Sequence, residues 1–283
     1  MKRFYCFIFS IHSLVILSSN GEGPIGARSG ALGHASACFS DVWSARNNQG
    51  SLGFVRQAEV AAFSENRFLV KELMQSGFAA VAPIKKGTFG IAYSTMGYNL
   101  YRESHVNVAY GMKLNESVSV GVSLDYLTTK ISDIYGRAQA FTGSIGLTAR
   151  LTEQVAVSTH IYNPLRAKIT NYNNEKVPTI FKLGAQYVFS KKVFLVIEAE
   201  KTSAQKTNIK GGIEYKPNSI FYLRVGGSSW PAQASFGIGA NYNGLKIDLS
   251  SSYHSILGVS PQLGLSYAFG KIIGKKNSKS LFD

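Results

Sequence analysis

The sequence is poor in charge, proline, cysteine and long apolar runs. Charged residues make up 16% of its 283 positions, proline occurs seven times and cysteine twice. Cys6 lies inside an apolar leader, so one cysteine, Cys38, remains beyond it. No intramolecular disulfide framework can then hold the chain together, and Cys38 reads as a small packing residue. Beyond the leader no apolar run approaches the roughly 20 residues that a membrane-crossing helix needs. A chain that enters a bilayer without such a helix must do so as a closed β-barrel, because only these two structures satisfy the backbone in lipid.

Acidic residues are also scarce, 16 against 30 Lys and Arg, for a net charge of +14. No interleaved aromatic-basic motif points to nucleic acid. Basic loops facing anionic headgroups or a partner explain the charge as well. The histidines past the leader are His34, His105, His160 and His254, and none has metal-ligand spacing. Serines share a face with His160 and His254, but a Ser-His hydrolase also needs an orienting acid or amide, and no Gly-x-Ser-x-Gly elbow occurs. The expectation is a non-enzymatic chain without cofactor or metal.

What is present is order at both ends and a period of two between them. Met1-Lys2-Arg3, the apolar run from Phe4 to Leu17 and the small residues after it form an export signal, with cleavage expected near Ser19 to Gly23. The segment 26–53, GARSGALGHASACFSDVWSARNNQGSLG, is small, polar and glycine-dotted and has no strand pattern. From about Val60 onward apolar and small polar residues alternate. Val118, Val120, Val122, Leu124 and Tyr126 fall on one face, and Ser117, Ser119, Gly121, Ser123 and Asp125 on the other. The pattern recurs in 141–151, 181–189, 234–242, 245–253 and 263–269. Less regular strands fit at 58–69, 76–84, 87–98, 104–114, 154–162, 192–201, 207–216 and 220–228. The total is about fourteen. Turn residues separate them, including Asn243-Gly244, a tight-hairpin signal. Longer links are expected at 97–104, 132–137 and 163–178.

An exported soluble sandwich would also alternate. Three features favour a membrane barrel of about fourteen antiparallel strands. Aromatics gather at strand ends (Tyr126, Tyr187, Tyr215, Tyr242, Phe269), the polar faces are rich in Gly, Ser and Thr, and the 26–53 stretch suits a lumen plug. The expected division is a signal peptide (1–20), a luminal hatch (21–56), a transmembrane barrel (57–270) and a basic tail (271–283). Charges on the expected luminal face are Asp125, Arg150, Lys182, Glu198, Glu200, Lys210, Glu214, Arg224, Lys246 and Asp248. They must pair or be solvated, as a bracing network or as a selectivity lining.

The stretch holding Gly26-Ala27-Arg28, Leu32-Gly33, Asp41-Val42-Trp43 and Asn47-Asn48-Gln49-Gly50-Ser51-Leu52 resembles the opening of FadL-like outer-membrane barrels, most of all the PorV/PorQ-type branch. One departure is clear: Asn48-Gln49-Gly50 stands where that family has Asn-Pro-Ala. The resemblance implies a fourteen-strand barrel in the bacterial outer membrane and its lipid, with hatch residues Arg28, Gly33, Asp41, Trp43, Asn47 and Asn48. It also implies a role. One is a component of type IX secretion, partnered by a translocon or secreted cargo. The alternative is FadL-like passage of a hydrophobic small-molecule ligand. Phe269 would close the last strand, leaving Lys271, Lys275, Lys276 and Lys279 in the tail.

Overall fold

The computed structural model describes residues 23–132, 136–169, 176–203 and 205–270. The expected signal peptide and basic tail lie outside them, as do parts of the links at 132–137 and 163–178. Fourteen antiparallel strands form one closed barrel, each paired with its sequence neighbours and β1 with β14. They are β1 (Ala58–Asn66), β2 (Met74–Ile84), β3 (Gly87–Gly97), β4 (Tyr101–Lys113), β5 (Val118–Ile131), β6 (Arg137–Arg150) and β7 (Val155–Tyr162) in the first half. In the second are β8 (Ile180–Ser190), β9 (Val193–Thr202), β10 (Asn208–Tyr215), β11 (Phe221–Ser229), β12 (Ala232–Tyr242), β13 (Leu245–His254) and β14 (Gly258–Phe269).

The alternation read from sequence sets which face looks where. Val122 pairs with Tyr110 and Ile145 on the outer face, and Ser123 with Ala109 and Ser144 on the inner one. A one-residue slip would exchange the two faces throughout, so the pattern fixes the register. The outside is a continuous apolar belt that includes Phe89, Ile91, Val108, Val122, Leu124, Ile145, Leu183, Ile213, Phe236, Ile238 and Leu265, all exposed. The inside carries small and polar side chains. Water would penalise so large an exposed apolar surface, whereas lipid favours it.

Strand limits depart from the expected ones where the backbone continues past the apolar pattern. β5 and β6 run beyond Tyr126 and start before Phe141, because their hydrogen-bonded ladder continues while their outward residues turn polar. β4 starts at Tyr101, which shortens the expected 97–104 link to residues 98–100. β1 stops at Asn66 because Phe68 and Leu69 adopt positive φ (55° and 58°), which ends a strand. Asn243 and Gly244 both have positive φ (50° and 86°), as a two-residue primed hairpin requires.

One barrel end, where β1 begins and β14 finishes, is closed by six links of two to five residues and is called the turn end. At the opposite loop end only 67–73 and 163–179 are longer than five residues. The expected contrast between short turns and long loops therefore rests on those two. Among the described residues no helix is long and apolar enough to cross a membrane.

Candidate functional site

The segment before β1 occupies the lumen. Gly23 and Pro24 lie at the loop end beside Arg67, and Phe54 lies at the turn end against Lys113 and Arg150. Between them the chain forms α1 (Ala27–Ala31), α2 (Ser44–Asn47) and a 3₁₀ stretch (Gln49–Phe54). Nearly all of it is buried. Small residues are needed because the wall comes very close. A Cβ on Gly237 would sit 2.7 Å from Ala31, and one on Gly90 2.7 Å from Ala45. Gly111, Gly121, Gly146, Gly184, Gly212, Gly226 and Gly264 meet the hatch in the same way. These inward glycines, on nine strands, form a girdle at the waist. A side chain there would press on hatch atoms, backbone at Gly111, Gly121, Gly212 and Gly226 and side chain at Gly90 and Gly237.

Polar hatch residues hold this contact. The Asn47 side chain brackets Ile25, accepting from its N–H at 3.1 Å and donating to its carbonyl at 2.9 Å. Asn48 caps the 3₁₀ stretch by accepting from Gly50 N–H at 3.0 Å and donates to Ala37 O at 2.7 Å. Gln49, at the position where the resemblance expects proline, uses its side chain on Ala45 O (3.0 Å) and on His160 Nε2 (3.1 Å). Proline could make neither bond. Trp43 packs edge-on to Phe63 of β1, 6.0 Å between ring centres. Gly33 adopts φ 69° and donates its N–H to Ser235 Oγ at 3.0 Å.

Most of the charges expected in the lumen fall into three groups, and Arg67 with Glu65 (3.2 Å) makes a further pair at the loop end. At the turn end Arg224 reaches Glu214 (2.6 Å) and Asp248 (2.5 Å), and hatch Arg28 reaches Glu214 (3.0 Å) and Asp41 (3.6 Å). Lys246 pairs with Glu59 beside them at 3.1 Å. Burial pushes the Asp41 carboxyl up, against the opposing pull of Arg28. Toward the loop end Lys210 lies 2.7 Å from Glu200 and 3.5 Å from Glu198, and Lys182 lies 3.7 Å from Glu200. Glu198 also accepts the N–H groups of Ser36 and Ala37 at 2.8 Å, tying the hatch to β9. Asp125 belongs to a third group, 2.7 Å from His105 Nε2 and accepting from Ser123 Oγ at 2.6 Å. Arg150 stacks 4.1 Å over the Phe54 ring.

Sequence reading missed the His105–Asp125 pair and the glycine girdle. Parity places His105 on the inward face of β4, yet only the cross-strand register brings it near Asp125. His254 Nδ1 accepts from the backbone N–H groups of Ile256 and Leu257.

Cys38 Sγ sits 3.1 Å from Ser158 Oγ on β7, and burial pushes its thiol up to about 12. A neutral, covered thiol is a poor nucleophile. Maleimide at neutral pH should leave it unmodified in the folded barrel and modify it fully after heat unfolding, as mass spectrometry would read. Rapid labelling of the folded protein would show that the hatch opens.

Two of the cavities beside the hatch lie at its two ends. The loop-end vestibule, about 330 Å³, is lined by His34, Glu65, Arg67, Phe68, Pro178, Ile180, Glu200 and Lys210. Next to it lies an inward apolar cluster of Leu127, Ala140, Tyr162, Val177 and Ile180. The turn-end vestibule, about 310 Å³, is lined by Arg28, Asp41, Trp43, Glu59, Tyr222, Arg224 and Lys246. Each is of a size that holds one small molecule.

Solved structures share this architecture across nearly their full length. The toluene transporter TodX of Pseudomonas putida matches with a TM-score of 0.66 at 12% identity, over 86% of this chain and 97% of that one. The toluene transporter TbuX of Ralstonia pickettii matches at 0.62 and 12%, over 89% and 99%. A Pseudomonas aeruginosa FadL homologue matches at 0.63 and 11%, over 87% and 98%. No family model and no curated protein matches the sequence. The likeness is one of fold: this chain is a closed fourteen-strand barrel with the architecture of those structures.

Proposed function

We propose that the chain is an outer-membrane channel of FadL type that passes small hydrophobic molecules. In this reading residues 1–20 leave on export, residues 21–56 are the hatch, residues 57–270 cross the membrane and the basic tail stays in the periplasm. The loop end faces outward. The observation that carries the reading is a small-residue hatch set between two vestibules, in a barrel whose fold is that of channels named for toluene transport. The apolar cluster beside the outer vestibule gives a hydrophobic molecule a place to leave water.

Uptake of labelled toluene and of a long-chain fatty acid tests this, in cells lacking their own hydrocarbon channels. Expression should raise uptake. Ser158→Cys places a thiol against Cys38, and oxidation should then stop uptake until reductant restores it. Uptake no higher than in empty cells would end the channel reading.

A second reading, the type IX secretion component, draws on two observations. The lumen is filled and charged, and loop-end side chains such as Leu165 (90% exposed) and Ile256 (85%) present apolar tips. A mild-detergent pull-down that recovered a translocon barrel or secreted cargo in stoichiometric amount would favour it. The channel structures above favour the first reading.

A further inference from the structure

The charges around the loop-end vestibule are already matched. Glu65 holds Arg67 at 3.2 Å. Lys210 lies 2.7 Å from Glu200 and 3.5 Å from Glu198, and Lys182 lies 3.7 Å from Glu200. A carboxylate or an ammonium that entered here would find no free counter-charge and would have to break a buried pair. What stays open is neutral. His34, Gln233 and Ser252 line the cavity, and among the described residues their side chains make no hydrogen bond. The links on this side of the wall, 67–73, 230–231 and 255–257, lie wholly within the described residues.

The hatch brings these three groups together. Gly33 donates its N–H to Ser235 Oγ at 3.0 Å. Ser235 pairs in register with Ser252 of β13, and Gln233 is the next inward residue of β12 toward the loop end. A Cβ on Gly33 would sit 2.1 Å from Gly227 O, and the His34 N–H returns to Ser29 O at 2.8 Å. Held on both sides, His34 adopts φ 64°, a left-handed conformation that a residue other than glycine keeps only where its surroundings impose it. Its ring therefore stands at the vestibule floor. Withdrawal from water pushes the imidazole pKa down, so at neutral pH one ring nitrogen donates and the other accepts. Gln233 and Ser252 also offer both roles. Beside the three stand the apolar side chains of Phe68, Ile180 and Pro231.

We propose that the loop-end vestibule selects uncharged molecules with a hydroxyl group on a compact apolar ring, the class of the phenols, and that His34, Gln233 and Ser252 take the hydroxyl. A hydroxyl both donates and accepts, as these side chains do, while Phe68 and Ile180 meet the ring. A hydrocarbon of the same shape leaves the polar groups unmet, and a site built to hydrogen-bond a hydroxyl discriminates against such an analogue. This selectivity rests on the channel reading for its purpose, and it is measured by binding rather than by passage.

Equilibrium dialysis of the purified barrel in detergent, corrected against protein-free micelles, compares four molecules of one frame at neutral pH: p-cresol, toluene, p-toluate and 4-methylbenzylammonium. p-Cresol should bind roughly tenfold more tightly than toluene, as one or two neutral hydrogen bonds provide. Both ions should bind more weakly than toluene. Q233L/S252A should bring p-cresol close to the affinity of toluene, and His34→Phe should do the same. If His34→Phe fails to fold, as gel mobility without heating would show, the strand variant decides the matter by itself. Ser228→Ala lies in the same cavity, but its hydroxyl already donates to Pro231 O at 2.8 Å, so it should bind p-cresol like the wild type. Equal binding of p-cresol and toluene by the wild type would overturn the proposal. So would tighter binding of either ion, or a p-cresol affinity that Q233L/S252A leaves unchanged. p-Cresol bound as expected, with uptake no higher than in empty cells, would overturn the channel reading alone, whereas uptake without any preference in binding would overturn the selectivity alone.

Discussion

Val122→Arg should leave most of the protein unable to assemble in a membrane. Val122 sits mid-belt on β5, 53% exposed, between Tyr110 and Ile145 on the flanking strands. An arginine on the lipid face near mid-bilayer costs about 2–4 kcal/mol. Val122→Leu, which keeps the surface apolar, should be neutral. Leucine one residue on should behave oppositely. Ser123 faces inward and donates to Asp125 at 2.6 Å, so Ser123→Leu strands a buried carboxylate lone pair. The fraction of heat-modifiable barrel on a gel reads all three. Equal losses from leucine at 122 and at 123 would refute the facing of the strand.

The second large effect lies inside. Arg224→Ala should cost about 3–5 kcal/mol, the usual consequence of removing one partner from a buried ion cluster. The Glu214 and Asp248 carboxylates would lose their shared cation, leaving Arg28 of the hatch as the near guanidinium on Glu214. Adding Asp248→Asn should recover part of the loss, because that stranded carboxylate goes with the cation while Glu214 keeps Arg28. Denaturant midpoints in detergent measure both. An Arg224→Ala midpoint equal to wild type would mean that water already solvates the site. Arg28→Ala should cost less, since Arg28 is more exposed than Arg224 and leaves the Arg224 pairs in place.

Much of this architecture was legible because a strand pattern is local. Val118 to Tyr126 declares its two faces without reference to any other strand, and six such segments with eight less regular ones leave few ways to close. The hatch was legible by contrast, as the one stretch with small residues and no period. The luminal charges were legible as a set but not as partners. Glu198 and Lys210 meet because β9 and β10 are adjacent, and Asp125 meets His105 because of a register that the sequence does not print. Arg150 could not be separated from the others by parity, since its neighbour is the Phe54 ring of the hatch. The glycine girdle was invisible for a similar reason. A glycine in an alternating strand looks like any small inward residue until the opposing backbone is in place.

The hatch enters at the loop end and leaves at the turn end, while the seam between β1 and β14 joins the two ends of the barrel sequence. A girdle that leaves no clearance cannot be threaded after it has closed. The early segment must already lie within the curl of the sheet when the seam zips, so it serves as the core around which the wall is cast. Removing residues 24–53 should not bore a hole through a finished cylinder. It should leave the waist glycines facing a void with nothing to mould them, and the casting should fail at the seam.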